Sequence, residues 1–125
     1  MNSLKLALLA LVGLINFLPV IGLLSAARLQ GLYGLPALEP NLALLLRHRA
    51  LLFGLIGALI LCAVYTPALR PAAYAMALIS MAGFIVLAHG AAINDALKRV
   101  VLADWIGLGL LALVLLLELL QRLQD

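Results

Sequence analysis

Four apolar runs dominate this chain, and each is about as long as a bilayer-crossing helix. They cover residues 6–24, 50–66, 72–89 and 100–120. A helix needs roughly 20 mostly apolar residues to cross the hydrocarbon core. The second and third runs carry no charge, the first is interrupted only by Asn16 and Pro19, and the fourth holds Asp104 and Glu118. Backbone N–H and C=O groups in lipid must be satisfied within their own segment, which makes such runs helices. Barrel strands would alternate polarity over roughly ten residues, and no such alternation occurs. The expected fold class is all-α: an integral membrane four-helix bundle. It forms a single domain over 1–125, with helices near 4–24, 41–66, 72–89 and 95–121.

Composition narrows the alternatives. Hydrophobic residues make up 67% of the chain and charged ones 10%. Soluble domains run nearer 45–50% and about 25%, and a chain this short could not hide such an excess from water. The formal charge of +3 does not point to nucleic acid. The eight Lys and Arg sit at the ends of apolar runs and not in a stripe with aromatics. Arg28, Arg47, Arg49, Lys98 and Arg99 flank the first and third connections; Lys5, Arg70 and Arg122 lie at the other side. Five against three places the first and third connections in the cytoplasm and both termini outside. Lys5 before an apolar stretch and Ser25-Ala26-Ala27 after it have the layout of a signal peptide. The run is longer than a signal core, so a retained helix is expected.

Punctuation is expected at five places. Pro67 and Pro71 bracket a tight connection over 66–71. Gly90 suits the left-handed position after a helix end. Asn94 or Asp95 can cap the fourth helix, and Glu39-Pro40-Asn41 starts the second with Asn41 as the cap. Residues 25–40 form the longest connection, with a turn at Tyr33-Gly34-Leu35-Pro36. Small residues let membrane helices approach closely. The rows Ala50, Gly54, Ala58, Cys62, then Ala73, Ala77, Ser80, then Ala103, Gly107 are expected to form the bundle's own seams, the alternative being a homodimer seam. Cys62 is expected to be a buried packing residue and not a reactive thiol.

Ionisable groups at membrane depth are a functional-site hypothesis by default. Arg47, His48, Arg49, His89, Asn94, Asp95 and Asp104 gather toward one side and form the candidate ligand- or headgroup-binding set. Structural readings stand beside it. The arginines can bind lipid phosphate, Asp95 can pair with Lys98 or Arg99, and Asp104 can join Trp105 at the interface. Glu118 can pair with Arg122 on the opposite side. Residues two apart on a helix point about 200° apart, so Arg47 and Arg49 cannot both face lipid. One should face the bundle, and Asp104, about 13 Å deeper than Asp95 along its helix, is expected to pair with it. His48 and His89 near one leaflet bring haem ligation to mind. No attachment motif supports it, and no cofactor is expected. Metal spacings such as HExxH or CxxC are absent, as are GxGxxG, GxxxxGK[ST] and HxGH, so neither metal nor catalytic residues are assigned.

Pro19, Leu32-Tyr33-Gly34, Pro40-Asn41-Leu42 and Leu46-Arg47-His48-Arg49-Ala50 with Gly54 and Gly57 form a pattern that resembles small bacterial four-helix membrane proteins of the DoxX-like superfamily. The resemblance implies a multi-pass protein of the bacterial inner (plasma) membrane, in some members working with redox or stress-response partners. It brings no defined catalytic residues. The functional expectation is a non-catalytic protein that binds a lipid, a quinone-like molecule or a protein partner through its polar end. The alternative is a small, oligomeric transporter or channel, which would need Asn16, Ser80 and Cys62 to line a wet path. Membrane lipid and a homo-oligomer or membrane protein partner are the expected partners.

Overall fold

The computed structural model describes residues 2–23, 26–36 and 39–125. Among these the chain is helical: α1 (Asn2–Phe17), α2 (Ala26–Tyr33), α3 (Pro40–Tyr65), α4 (Arg70–Ala88) and α5 (Asp95–Gln124), with 3₁₀ turns at Leu18–Leu23 and Pro67–Leu69. Four segments built on α1, α3, α4 and α5 are long and apolar enough to cross a membrane. They form a ring in which α1 packs on α3, α3 on α4, α4 on α5 and α5 back on α1. Lys5 near the start of α1 bonds Glu118 near the end of α5, so both termini lie at one end. The outer face carries Leu55, Ile79, Leu87, Leu102 and Ile106, all more than half exposed. Water would not tolerate so large an apolar surface; lipid does, and the chain is a multi-pass membrane protein.

The first helix is shorter than its apolar run. Pro19 lacks an N–H, and its ring would clash with the Ile15 carbonyl four residues back. It also disfavours helical torsions at Leu18. The α-helix therefore stops at Phe17 and tightens into the 3₁₀ turn. Leu24 and Ser25, where that helix and the small-residue motif were expected to meet, lie outside the described residues.

The long connection holds a helix that the run-length argument overlooked. In α2, Leu29 and Tyr33 stand four residues apart on one face and are 0% and 3% exposed, so they anchor the helix to the bundle. Gly34 ends it at φ +64°, and Leu35 N–H closes on the Gln30 carbonyl at 3.0 Å, the bond of a Schellman end. The cap of α3 is Glu39 and not Asn41: its Oε1 accepts from Leu42 N–H at 2.8 Å. Pro40 takes the first helical position, where a missing N–H leaves nothing unmade.

The small-residue seam of α3 also differs from the expected row. Ala50 and Gly54 are buried, but Ala58 and Cys62 are exposed, and the buried line runs on through Gly57, Ile60, Ala63 and Val64. Strict four-residue steps drift about 40° per step on a helix of 3.6 residues per turn. By Cys62 the row has left the seam, so the thiol is on the outer face. Backbones meet most closely at Gly57, where an added Cβ would lie 2.7 Å from the Phe17 backbone. Ala73 and Ala77 of α4 are fully buried, and Gly107 of α5 lies against the Met81 thioether. Leu9, Val12, Ile60, Met81, Leu111 and Val114 fill the middle of the ring.

Candidate functional site

Position along α5 decides which polar groups turn inward. Ala96, Arg99, Val100, Ala103 and Asp104 line a single cavity, and their spacing is i, i+3, i+4, i+7, i+8, one face of a helix. The same face continues inward through Gly107, Leu111 and Val114. The cavity has a volume of about 350 Å³ and sits under α2, where α1 has given way to the 3₁₀ turn. Asn16, Leu18 and Pro19 form one wall, Tyr33 of α2 another, and Arg49 and Phe53 of α3 a third. Most of the lining is apolar.

Arg49 is held in place before any ligand arrives. Its guanidinium carbon lies 4.5 Å from the Phe53 ring centre, 5.1 Å from Phe84 and 5.3 Å from Tyr33. These are cation–π distances. Nη1 also donates to the Tyr33 hydroxyl. Burial pushes that hydroxyl above its ordinary range, against the downward pull of Arg49, so Tyr33 stays protonated at neutral pH. A guanidinium has five N–H donors, and Arg49 borders the cavity and two neighbouring hollows. Arg47, two residues away, is exposed on another side of α3, as the helical period requires.

Asp104 shares the cavity with Arg49, but the expected direct pair is not made. Ion pairs within 4.0 Å among the described residues join Lys5 to Glu118, Lys98 to Asp95 and Arg122 to Glu118. Arg49 instead lies among three rings and donates to a hydroxyl. The remaining candidates lie elsewhere. His48 is exposed on α3, and His89 is exposed at the end of α4, beside Lys98 and Trp105. Asp95 and Lys98 form an exposed pair at 3.9 Å. The Asn94 amide is spent on structure. Oδ1 accepts from Leu97 N–H at 2.8 Å, and Nδ2 donates to the carbonyls of Tyr33 and Gly34 at 2.8 and 3.1 Å.

No family model, curated protein or solved structure matches this chain. The cavity is therefore the feature that bears on function. Three of its polar residues went unremarked as site candidates in the sequence. Arg99 was read as a partner of Asp95, although the α5 face shared with Asp104 was readable from spacing alone. Tyr33 gave no such signal, and Asn16 was weighed only as a lining of a wet path, because their place in the cavity depends on how α1 and α2 end.

At the opposite end the polar groups satisfy one another. Lys5, only 3% exposed, donates to Glu118 at 3.0 Å and to Gln121 at 2.7 Å. Tyr74 donates to Glu118 at 3.2 Å, and Arg122 lies 3.5 Å from the same carboxylate. Arg70 donates to the carbonyls of Ala63 and Val64, both at 3.0 Å, closing the end of α3 as a cation near a helix C-terminus does.

Proposed function

We infer that this chain is a non-catalytic protein of the bacterial inner membrane that binds one membrane-resident amphiphile, a lipid or quinone-like molecule, in the cavity under α2. The observation that carries the reading is the cavity itself, apolar over most of its wall, with Arg49, Arg99, Asp104, Tyr33 and Asn16 converging on it. Small-molecule sites have this character, an apolar enclosure of roughly 300–1,000 Å³ with a few placed polar groups. The bacterial inner membrane is what the resemblance to DoxX-like proteins implies, and the excess of arginine and lysine at the cavity end favours placing that end in the cytoplasm.

Transport is the weaker reading. Asn16 donates to the Val12 carbonyl and the Met81 thioether. Ser80 borders a separate hollow between α3 and α4, and Cys62 is on the outer face. These three are dispersed, and the apolar centre of the ring stands between the two polar ends.

The test is native mass spectrometry of gently purified wild type and of Ala103→Phe, which fills the cavity from a half-buried position. Wild type should carry a bound amphiphile, and the variant should lose it by about tenfold or more in affinity, with its melting temperature kept. Equal retention by both proteins would overturn the reading.

A further inference from the structure

The geometry points to the phosphoethanolamine head of a zwitterionic membrane lipid as the group this cavity takes, its ammonium on Asp104 and its phosphate on Arg99 and Arg49. This rests on the reading of the cavity as an amphiphile site and names the chemistry of the head. The cavity presents both signs of charge: Arg49 from α3 and Arg99 and Asp104 from α5 all line it, and no ion pair within 4.0 Å joins Asp104 to another described residue. The carboxylate and the guanidinium groups thus border the same space with no direct pair between them. A ligand matching that space carries an anion and a cation of its own.

The order of the charges sets the orientation of the head. Asp104 is five residues beyond Arg99 on the same face of α5, which places it about 7.5 Å further in. The ammonium then lies deeper along α5, at Asp104, and the phosphate about one and a half turns back, at Arg99. The volume of about 350 Å³ holds a head group and not the acyl chains, which remain in the bilayer.

Other heads fit less well. A purely anionic head satisfies the arginines but sets its phosphate beside the Asp104 carboxylate. A quinone offers only acceptors, which the arginines can meet, but it brings no donor to the Asp104 carboxylate. A choline head has no N–H to give, and the aromatic faces that would hold it are already engaged by Arg49. A primary ammonium brings three donors to a carboxylate, a charge-assisted bond of the stronger kind.

The experiment is native mass spectrometry in maltoside micelles, titrating dioleoyl phosphatidylethanolamine, phosphatidylcholine, phosphatidylglycerol, decylubiquinone and free phosphoethanolamine. Phosphatidylethanolamine should bind about tenfold tighter than the other lipids. Asp104→Asn should erase that preference, and Arg99→Gln should weaken phosphatidylethanolamine and phosphatidylglycerol alike. Equal binding of the ethanolamine and choline lipids overturns the proposal, as does a preference that survives Asp104→Asn. Free phosphoethanolamine binding as tightly as the lipid overturns the membrane source. If phosphatidylglycerol or decylubiquinone binds best and Ala103→Phe expels it, the zwitterion fails and the amphiphile site stands. If nothing binds in a way that Ala103→Phe disturbs, both fall.

Discussion

The two polar ends of this bundle are built from similar side chains and arranged in opposite ways. At the end that holds both termini, Lys5, Tyr74 and Arg122 converge on Glu118, and Gln121 accepts a second bond from Lys5. At the other end, Arg49, Arg99 and Asp104 line a common cavity and no ion pair ties the acid to either base. One is a closed network whose charges are spent on holding α1, α4 and α5 together. The other keeps its charges directed at a space. An arginine and a carboxylate near a membrane surface therefore say little by themselves. What separates a lock from a site is whether the partners lie within reach of one another.

The largest expected effect tests the lock. Lys5→Met removes the cation from a nearly buried pair and leaves Glu118 with only Tyr74 and the exposed Arg122. Breaking a buried pair on one side costs about 3 kcal/mol or somewhat more. The variant should unfold in SDS or heat with a loss of that size, and Lys5→Met combined with Glu118→Gln should recover part of it. A loss below about 1 kcal/mol, the value of an exposed pair, would mean that the two ends do not differ in kind.

A smaller loss is expected between the ends, where α1 hands over to the 3₁₀ turn that borders the cavity. Gly57→Ala would place a methyl 2.7 Å from backbone atoms of Phe17, and backbone cannot rotate away. Overpacking of this kind costs about 2 kcal/mol. Gly83→Ala is the control, since nothing lies within 4 Å of its new Cβ; it should lose no stability. Equal melting of the two variants would show that the α1–α3 approach is looser than described here.

The class of fold was legible because lipid constrains so strongly: an uncharged run of bilayer length has only one backbone solution. The divergence of Arg47 from Arg49 was legible too, since the helical period alone imposes it. Less legible was anything set by the ends of helices. Pro19 was visible, but the early stop at Phe17 required weighing it against an unbroken apolar run. The helix α2 has only Leu29 and Tyr33 to announce it, too little periodicity to stand out in a leucine-rich background. The exposed Cys62 was misread because four-residue spacing looks like a seam over one turn and departs from it over three. The Arg49 environment was out of reach, as it brings together rings from α2, α3 and α4 whose proximity exists only in the folded ring.

The smallest expected effect is the one that most directly distinguishes the ends. Asp104→Asn keeps the shape of the side chain and removes its charge. In a lock this would resemble Lys5→Met, because a partner cation would be left alone. Here no ion pair within 4.0 Å among the described residues depends on the carboxylate, and Arg49 keeps its three rings and the Tyr33 hydroxyl. Two opposing terms remain. The longer-range attraction of Arg49 is lost, and so is the cost of holding a carboxylate away from water, which insertion scales put at roughly 2.5–3.5 kcal/mol at mid-membrane and less toward the surface. They offset one another, and the variant should melt within about 0.5 kcal/mol of wild type, the range of substitutions that break no specific feature. A loss approaching that of Lys5→Met would show that Asp104 is a structural partner, and the cavity end would then be a second lock.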